Sequence, residues 1–586
     1  MTGLVEHGRP AHTALGVVRS ALWRRKSVFV AAIVATVTVN FLALATSLYS
    51  MQIYDRVIPR SGFATLWVLT VGVLIALLLD YLLRTARALM VEREAARIDA
   101  EVSQTFFERM QSVRLDALPA GVGTIAAQLR GWEQVRALVS SASLFLIADL
   151  PFALLFIVVI AWLGGAIALV PVIALPVAFL FAAAFARMIR TDADRAQISG
   201  NRKNGLLVEA LDAAETVKAS NAGPHLEGRW QALNAELIAH EEPVRRWSSV
   251  AQSTFATMQQ VTYILVVAWG AVRVSEGSMT MGALIACTIL AGRVNGPLIA
   301  QLPNFLVQWS YSRSALRALD NLLALPRDAG SVDKPLSPEA IEPSLAVENL
   351  AFAYPGGNDR HIDIADLAIG PGERVAIIGG IGAGKSTLLR LLAGLYAPQG
   401  GSVRVGGLDI QQIDPALLRR RLAYLPQDTR LLDGTLRDNL QLGLGQVPDD
   451  RIIASLRAVG LADLVAGHPR GIDLPISEGG RGLSGGQRLL ANLARLFVLD
   501  PDIWLLDEPT ANLDHATEER ILAELLARTK GKRTLVFATH RPRNLALSTR
   551  VIVMQNGKIA IDGPTETVLR QLEAGQTRIA DPVAAA

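Results

Sequence analysis

The stretch Glu478-Gly-Gly-Arg-Gly-Leu-Ser-Gly-Gly-Gln487 decides how the rest of the chain is read. Leu-Ser-Gly-Gly-Gln opens a helix with a serine and two glycines, so backbone N–H groups and a hydroxyl converge at that helix N-terminus. Such an end is a ready site for an anion. Upstream lies Gly379-Gly-Ile-Gly-Ala-Gly-Lys385-Ser386, a complete G-x-x-x-x-G-K-S loop. Downstream comes Ile503-Trp-Leu-Leu-Asp507-Glu508-Pro509, an apolar run that ends in two carboxylates.

Each residue type suits phosphate chemistry. Only backbone without Cβ wraps closely around phosphates, which is the use of Gly379, Gly380, Gly382 and Gly384, with Ile381 and Ala383 between them. Lys385 then neutralises β/γ charge, and the hydroxyl of Ser386, followed by Thr387, suits Mg²⁺. Asp507 ends an apolar strand where it would hold Mg²⁺ through water, and Glu508 is the candidate general base.

Loop, Leu-Ser-Gly-Gly-Gln and Asp-Glu, in that order, resemble an ATP-binding-cassette (ABC) ATPase. The resemblance implies further roles. Gln427 in Tyr424-Leu-Pro-Gln-Asp428 matches the glutamine loop that senses Mg²⁺ and the γ-phosphate. His540 in Ala538-Thr-His540 matches the switch histidine, and Tyr354 in Phe352-Ala-Tyr354 the aromatic that stacks on adenine. Asp514 in Ala511-Asn-Leu-Asp514 matches the aspartate loop, although Asn512 replaces the commoner Ala. In this family ATP is sandwiched between one subunit's phosphate loop and Ser484, Gly485, Gly486 and Gln487 of the other. One cassette per chain therefore implies a homodimer, with both sites competent.

The 586 residues are 51% hydrophobic and mean hydropathy is +0.33, too apolar for an ordinary soluble protein. Ser27–Ser50, Thr65–Leu83, Ser143–Leu163, Ala166–Ala186, Thr257–Val274 and Met281–Phe305 are each long enough to cross a bilayer core. Six spans are expected, the third and fourth forming a hairpin at Gly164-Gly165. Arg19, Arg24, Arg25 and Lys26 precede the first; Arg84, Arg87, Arg93 and Arg97 follow the second; Arg187, Arg190 and Arg195 follow the fourth. Basic residues mark the cytoplasmic side, so the N-terminus, both long loops and the C-terminal half are expected there. The net charge of +4 is accounted for in this way, with no nucleic-acid partner required. The single cysteine, Cys287, lies in the sixth span, which excludes a disulfide framework and an N-terminal catalytic thiol.

The expected fold is thus an α-helical transmembrane domain joined to an α/β P-loop domain. Its expected parts are a cytoplasmic segment (1–26), a membrane domain (27–326), a proline-containing linker (327–344), a nucleotide-binding domain (345–570) and a disordered tail (571–586). Helical periodicity continues past the spans, with Val91, Ala95, Ile98 and Val102 on one face. In the sixth span Arg293, Gln301, Asn304 and Gln308 fall within a sector about 80° wide, a candidate polar path.

This layout resembles an ABC exporter half-transporter. Ser50-Met-Gln-Ile-Tyr-Asp-Arg-Val-Ile-Pro59, Asp149-Leu-Pro-Phe152 and Ile289-Leu-Ala-Gly-Arg-Val-Asn-Gly-Pro-Leu298 are similar to the type I secretion permease/ATPase family. Many members carry an N-terminal domain related to cysteine peptidases; with 26 residues ahead of the first span, this sequence resembles the shorter branch. That resemblance implies residence in the bacterial inner membrane, unfolded polypeptide as cargo, a periplasmic adaptor and an outer-membrane channel. Two alternatives stand beside it: an exporter of lipid, drug or small peptide, and an ATP-gated channel or regulatory membrane protein.

Overall fold

The computed structural model describes residues 13–118, 131–133, 135–136, 142–328, 335–355, 357 and 359–575. The chain divides into two compact units, Met1–Gln111 with Pro119–Leu325 and Ser112–Leu118 with Pro326–Ala586.

The first unit is helical. Its main described helices are α1 (Ala14–Arg24), α2 (Lys26–Gln52), α3 (Phe63–Gln111), α4 (Ala142–Gly164), α5 (Leu169–Asp212), α6 (Gly223–Ser275) and α7 (Met281–Ala324). Among the described residues four stretches are long and apolar enough to cross a membrane: Lys26–Arg60, Phe63–Gln111, Pro151–Asp212 and Gly223–Ser275; the apolar start of α7, Met281–Val294, is shorter. Pro151–Asp212 takes in most of the third expected span and all of the fourth, and the chain turns between them at Gly165 with φ of +60°. Glycine adopts that left-handed conformation without steric cost. Beyond its apolar part α3 buries one face, Val91, Ala95, Ile98, Val102 and Phe106. The lower end of that face packs with Val18 and Ala21 of α1 and Leu319 of α7.

The segment that follows α2 winds into a wider turn, Ile53–Val57, and this aims Asp55 at the start of α7. Its carboxylate accepts hydrogen bonds from the Gly282 N–H at 2.8 Å and the Thr280 hydroxyl at 2.7 Å. A helix N-terminus carries unpaired N–H groups and partial positive charge, so an acidic cap is favourable there. Of the expected polar path, Arg293 is half-buried and Gln308 exposed; the side chains of Gln301 and Asn304 lie outside the described residues.

In the second unit, β1 (Leu345–Phe352) and β2 (Ile362–Ile369) pair with β4 (Gly400–Val405) and β5 (Leu408–Asp409) in an antiparallel sheet of order β2-β1-β4-β5. β7 (Gly434–Thr435) and β8 (Pro475–Ile476) pair by themselves, and the larger sheet uses β3 (Arg374–Gly379), β6 (Leu422–Leu425), β9 (Ile503–Asp507), β10 (Thr534–Ala538), β11 (Arg550–Gln555) and β12 (Lys558–Pro564). Its order is β12-β11-β3-β10-β9-β6, parallel except for β12 at the edge. β9 and β10 are buried on both faces. Trp504, Leu506, Leu535 and Phe537 enter one apolar core, while Ile503, Leu505, Val536 and Ala538 enter another across the sheet. Such strands read as continuous apolar runs because neither face meets water.

Two boundaries differ from expectation. The stretch 327–344 is partly built into the second unit: Arg327 bridges to Val113, Leu336 to Ile413, and Ile341 joins the core. Isolated bridges leave no periodic trace in sequence. The final helix, Thr565–Gly575, runs past 570 because Leu569 and Leu572 pack on the core, and residues beyond 575 lie outside the described ones.

Candidate functional site

Three neighbouring parallel strands, β3, β10 and β9, deliver the chemistry from their C-terminal ends, where ligands of α/β sheets bind. β3 ends at Gly379 and leads through the phosphate loop into the helix Lys385–Leu392. The glycines have local reasons. A Cβ on Gly379 would lie 2.3 Å from the Met554 carbonyl oxygen, and Gly384 has φ of +98° with Ile362 Cδ1 only 2.8 Å from its would-be Cβ. Ile381 at the loop tip is fully exposed. Inside the loop, the Lys385 ammonium donates to the carbonyls of Gly379 and Gly380, both at 3.0 Å. Burial pushes the Lys385 pKa down, against the pull of Glu508 and Asp507.

Asp507 closes β9 and is 2% exposed. Burial pushes its carboxyl above the usual range, although the Ser386 hydroxyl bonds to it and Arg390 favours its charge. Its Oδ2 has no hydrogen-bond partner among the described residues. A buried, unpaired carboxylate oxygen beside a serine hydroxyl is a hard oxygen donor set that fits Mg²⁺. Among the described residues no cluster of three or more His, Cys, Asp and Glu could cage a metal. Mg²⁺ is commonly held by one or two carboxylates and substrate phosphates, so such a cage is not needed. Gln427, beyond β6, is exposed and forms no hydrogen bond to Ser386 or Asp507 among the described residues.

Glu508 follows in the left-handed region, φ +51°, with its N–H donated to the Ala538 carbonyl at 3.1 Å. That conformation costs a non-glycine residue on the order of 1 kcal/mol and turns the side chain out of the strand. β10 ends at Ala538, and two residues on the His540 Nε2 stands 3.5 Å from Glu508 Oε1. In the first turn of the loop helix, the Tyr354 hydroxyl meets the Thr387 hydroxyl at 2.8 Å, and its ring sits edge-on to Phe352 and His361.

The Leu-Ser-Gly-Gly-Gln segment lies elsewhere in the unit. Ser484 caps the helix Gly485–Leu499: its hydroxyl accepts from the Gln487 N–H at 3.2 Å, and Gln487 Oε1 accepts from the Ser484 N–H at 2.9 Å. No hydrogen bond joins Ser484–Gln487 to the phosphate loop among the described residues. Asp514 caps the helix His515–Arg528, accepting from the Thr517 N–H at 2.9 Å, which holds its carboxyl below the usual range. Asn512 has φ of +61°, a conformation Asn tolerates far better than Ala. Its departure from the family's usual residue has this local explanation.

Comparison with known proteins places both units. The family described as "ABC transporter" matches residues 362–511, and "ABC transporter transmembrane region" matches 29–298. The chain is an ABC exporter half-transporter. As such it is a multi-pass membrane protein that hydrolyses ATP coupled to transport. It is 28% identical to the alpha-hemolysin translocation ATP-binding protein HlyB of Escherichia coli over 556 residues, covering 94% of this chain and 78% of that protein. It is also 28% identical to the leukotoxin export ATP-binding protein LtxB of Aggregatibacter actinomycetemcomitans, over 94% of this chain and 77% of that one. A bacterial Atm1-family ABC exporter with ATP bound shares the fold, with a TM-score of 0.84 at 22% identity over 95% of this chain and 99% of its own.

Sequence reading of this exporter missed one feature of the site. Thr510, Glu518, Thr539 and Asn544 form a buried hydrogen-bonded cluster directly behind Glu508 and His540. Its members are scattered over 35 positions and belong to no periodic pattern; the Glu518 carboxylate, in the first turn of a helix, reads as an ordinary dipole partner.

Proposed function

We propose that the chain is the translocase of a type I secretion system, a homodimer that drives an unfolded polypeptide out of the cytoplasm. The observation that carries this reading is the likeness, across 94% of the chain, to proteins named for translocating alpha-hemolysin and leukotoxin. The reading includes a bacterial inner-membrane location with the ATPase in the cytoplasm, a periplasmic adaptor and an outer-membrane channel.

In the site, the phosphate loop and Lys385 hold the ATP phosphates, and Tyr354 stacks on adenine. Ser386 and Asp507, with Gln427, would hold Mg²⁺, which when bound neutralises phosphate charge. Glu508 takes a proton from the attacking water, and His540 contacts the γ-phosphate. The helix start at Ser484, Gly485, Gly486 and Gln487 completes the site of the second copy, with Asp514 at that interface. Among the described residues no hydrogen bond joins that helix start to the phosphate loop of its own chain, which is consistent with an assembly of two.

The test is a deletion strain carrying the gene back on a plasmid. An extracellular protein that disappears on deletion and returns on complementation supports the reading. An unchanged secreted proteome, with altered sensitivity to a lipophilic drug or altered lipid distribution, transfers the case to a small-substrate exporter.

A further inference from the structure

Four polar side chains lie almost wholly out of water behind the hydrolytic pair: Thr510 is 1% exposed, Glu518 5%, Thr539 2% and Asn544 1%. Buried polar groups are tolerated when hydrogen-bonded, and here the donors and acceptors match. The Asn544 amide nitrogen uses both hydrogens, one to Thr510 Oγ1 and one to Thr539 Oγ1, each at 2.9 Å. The Thr510 hydroxyl directs its own proton to Glu518 Oε1 at 2.9 Å. Arg541 Nη1 stands 2.9 Å from that same oxygen, and the Arg541 backbone N–H donates to Thr539 Oγ1 at 3.0 Å.

The positions of these partners matter more than their number. Thr510 lies two residues after Glu508, and Thr539 immediately precedes His540. Glu508 and His540 are themselves partly exposed, 3.5 Å apart, so their mutual placement depends on the two turns that present them. Those turns meet through the Glu508 N–H to Ala538 bond and, on the buried side, through the Asn544 amide. An apolar residue of the same size would fill the space and leave the turns unlinked.

We propose that Asn544 is a positioning residue for ATP hydrolysis, its amide locking the Thr510 turn to Thr539 so that Glu508 and His540 meet the nucleotide in one fixed geometry. Glu518, clamped by Arg541 and Thr510, holds the far side of the same joint. This rests on the roles of Glu508 and His540 proposed above.

The test uses the full-length dimer in lipid nanodiscs. Asn544→Leu and Thr539→Val remove the link with little change of volume; Thr539→Ser keeps the acceptor oxygen. ATP turnover, affinity for a fluorescent ATP analogue and melting temperature are measured for each. Asn544→Leu and Thr539→Val should lower kcat roughly 10- to 100-fold with nucleotide affinity unchanged, since small misplacement of catalytic groups carries costs of that order. Thr539→Ser should stay within about twofold of the parent, because it keeps the acceptor oxygen and leaves neither the Asn544 amide nor the Arg541 N–H unpaired. In a His540→Ala background Asn544→Leu should add no further loss, because groups acting as a unit are not additive. Parent-like turnover in both link-breaking variants overturns the inference. So does a loss that multiplies in full with that of His540→Ala, or one that is restored wholly on cooling below a lowered melting point. If Asn544→Leu does not fold, Thr539→Val carries the same comparison. Glu508→Gln run in parallel separates the two claims: turnover there removes the base assignment, whereas inactivity there with active link variants removes only the positioning role.

Discussion

The Nε2 of His540 stands 3.5 Å from Oε1 of Glu508, an imidazole and a carboxylate brought together from the ends of two adjacent parallel strands. Neither strand alone places them. β9 supplies the carboxylate through the left-handed turn at Glu508, and β10 supplies the histidine two residues beyond Ala538. Glu508→Gln keeps the shape of the side chain and removes its basicity. Hydrolysis should fall by ~10²–10⁴, the usual loss when a positioned base is removed. ATP binding should persist, so the variant should accumulate as an ATP-bound dimer on size-exclusion chromatography. Turnover at the parent rate would refute the assignment of Glu508 as base.

Lys385 should behave differently. Its ammonium sits inside the loop on the carbonyls of Gly379 and Gly380, poised among groups that a phosphate would approach. Lys385→Ala removes a charged donor, worth about 1.5–3 kcal/mol in a hydrogen bond to a charged group. Nucleotide affinity should therefore drop by about 10- to 100-fold, read by titration with a fluorescent ATP analogue. A variant that binds normally but fails to hydrolyse would show that the lysine acts only on the reaction.

How much of this was legible beforehand differs from residue to residue. β9 and β10 announce themselves because Trp504, Leu506 and Phe537 face one core while Leu505 and Val536 face the other, leaving no polar positions to interrupt the run. The phosphate loop is legible because Gly379 and Gly384 answer steric demands that only glycine meets. Asp514 was read from its motif as a nucleotide-site residue, and its capping of His515–Arg528 is a local role the same residue type serves. What stays hidden is contact between distant positions of no period. Val113 pairs with Arg327, so that Ser112–Leu118 joins the second unit, and Asn544 reaches Thr510 across 34 residues. Single hydrogen bonds of this kind leave no repeating mark on the sequence.

Within the helical unit, Asp55 and Gly282 form a joint that stability measurements can probe. Asp55→Ala removes the carboxylate from the start of α7, where losing an acidic or hydroxyl cap costs about 1 kcal/mol. Gly282→Ala should be worse. Its Cβ would lie 2.4 Å from the Met51 carbonyl oxygen and 2.6 Å from Asp55 Cγ, so the end of α2 and the start of α7 would be forced apart. Thermal unfolding in detergent should show a lower midpoint for both variants, with the larger drop for Gly282→Ala. Nucleotide affinity should be unaffected. Equal melting of Gly282→Ala and the parent would mean that the close approach at this joint carries no energetic weight.

Asp507 leads to a prediction of the opposite sign. Burial pushes its carboxyl above the usual range, the Ser386 hydroxyl and Arg390 pull it part of the way back, and Glu508 pushes it up again. Between the unfolded carboxylate value of about 3.9 and the raised folded value, the native state binds more protons than the unfolded chain. Stability is therefore lost as pH rises through that window, and the whole penalty remains at neutral pH. Asp507→Asn is neutral at every pH and escapes it. Without nucleotide and with EDTA present, the variant should match the parent in acid and melt higher than the parent as pH rises to neutrality. Saturating MgATP should reverse the order, because a ligand stabilises the form that binds it and the variant has lost the carboxylate that suits the cation. This is a case in which a functional group is kept at the expense of stability. An Asp507→Asn protein that melts below the parent at neutral pH in EDTA would show that the hydrogen bond from Ser386 outweighs burial, and that the carboxylate is stabilising even without its ligands.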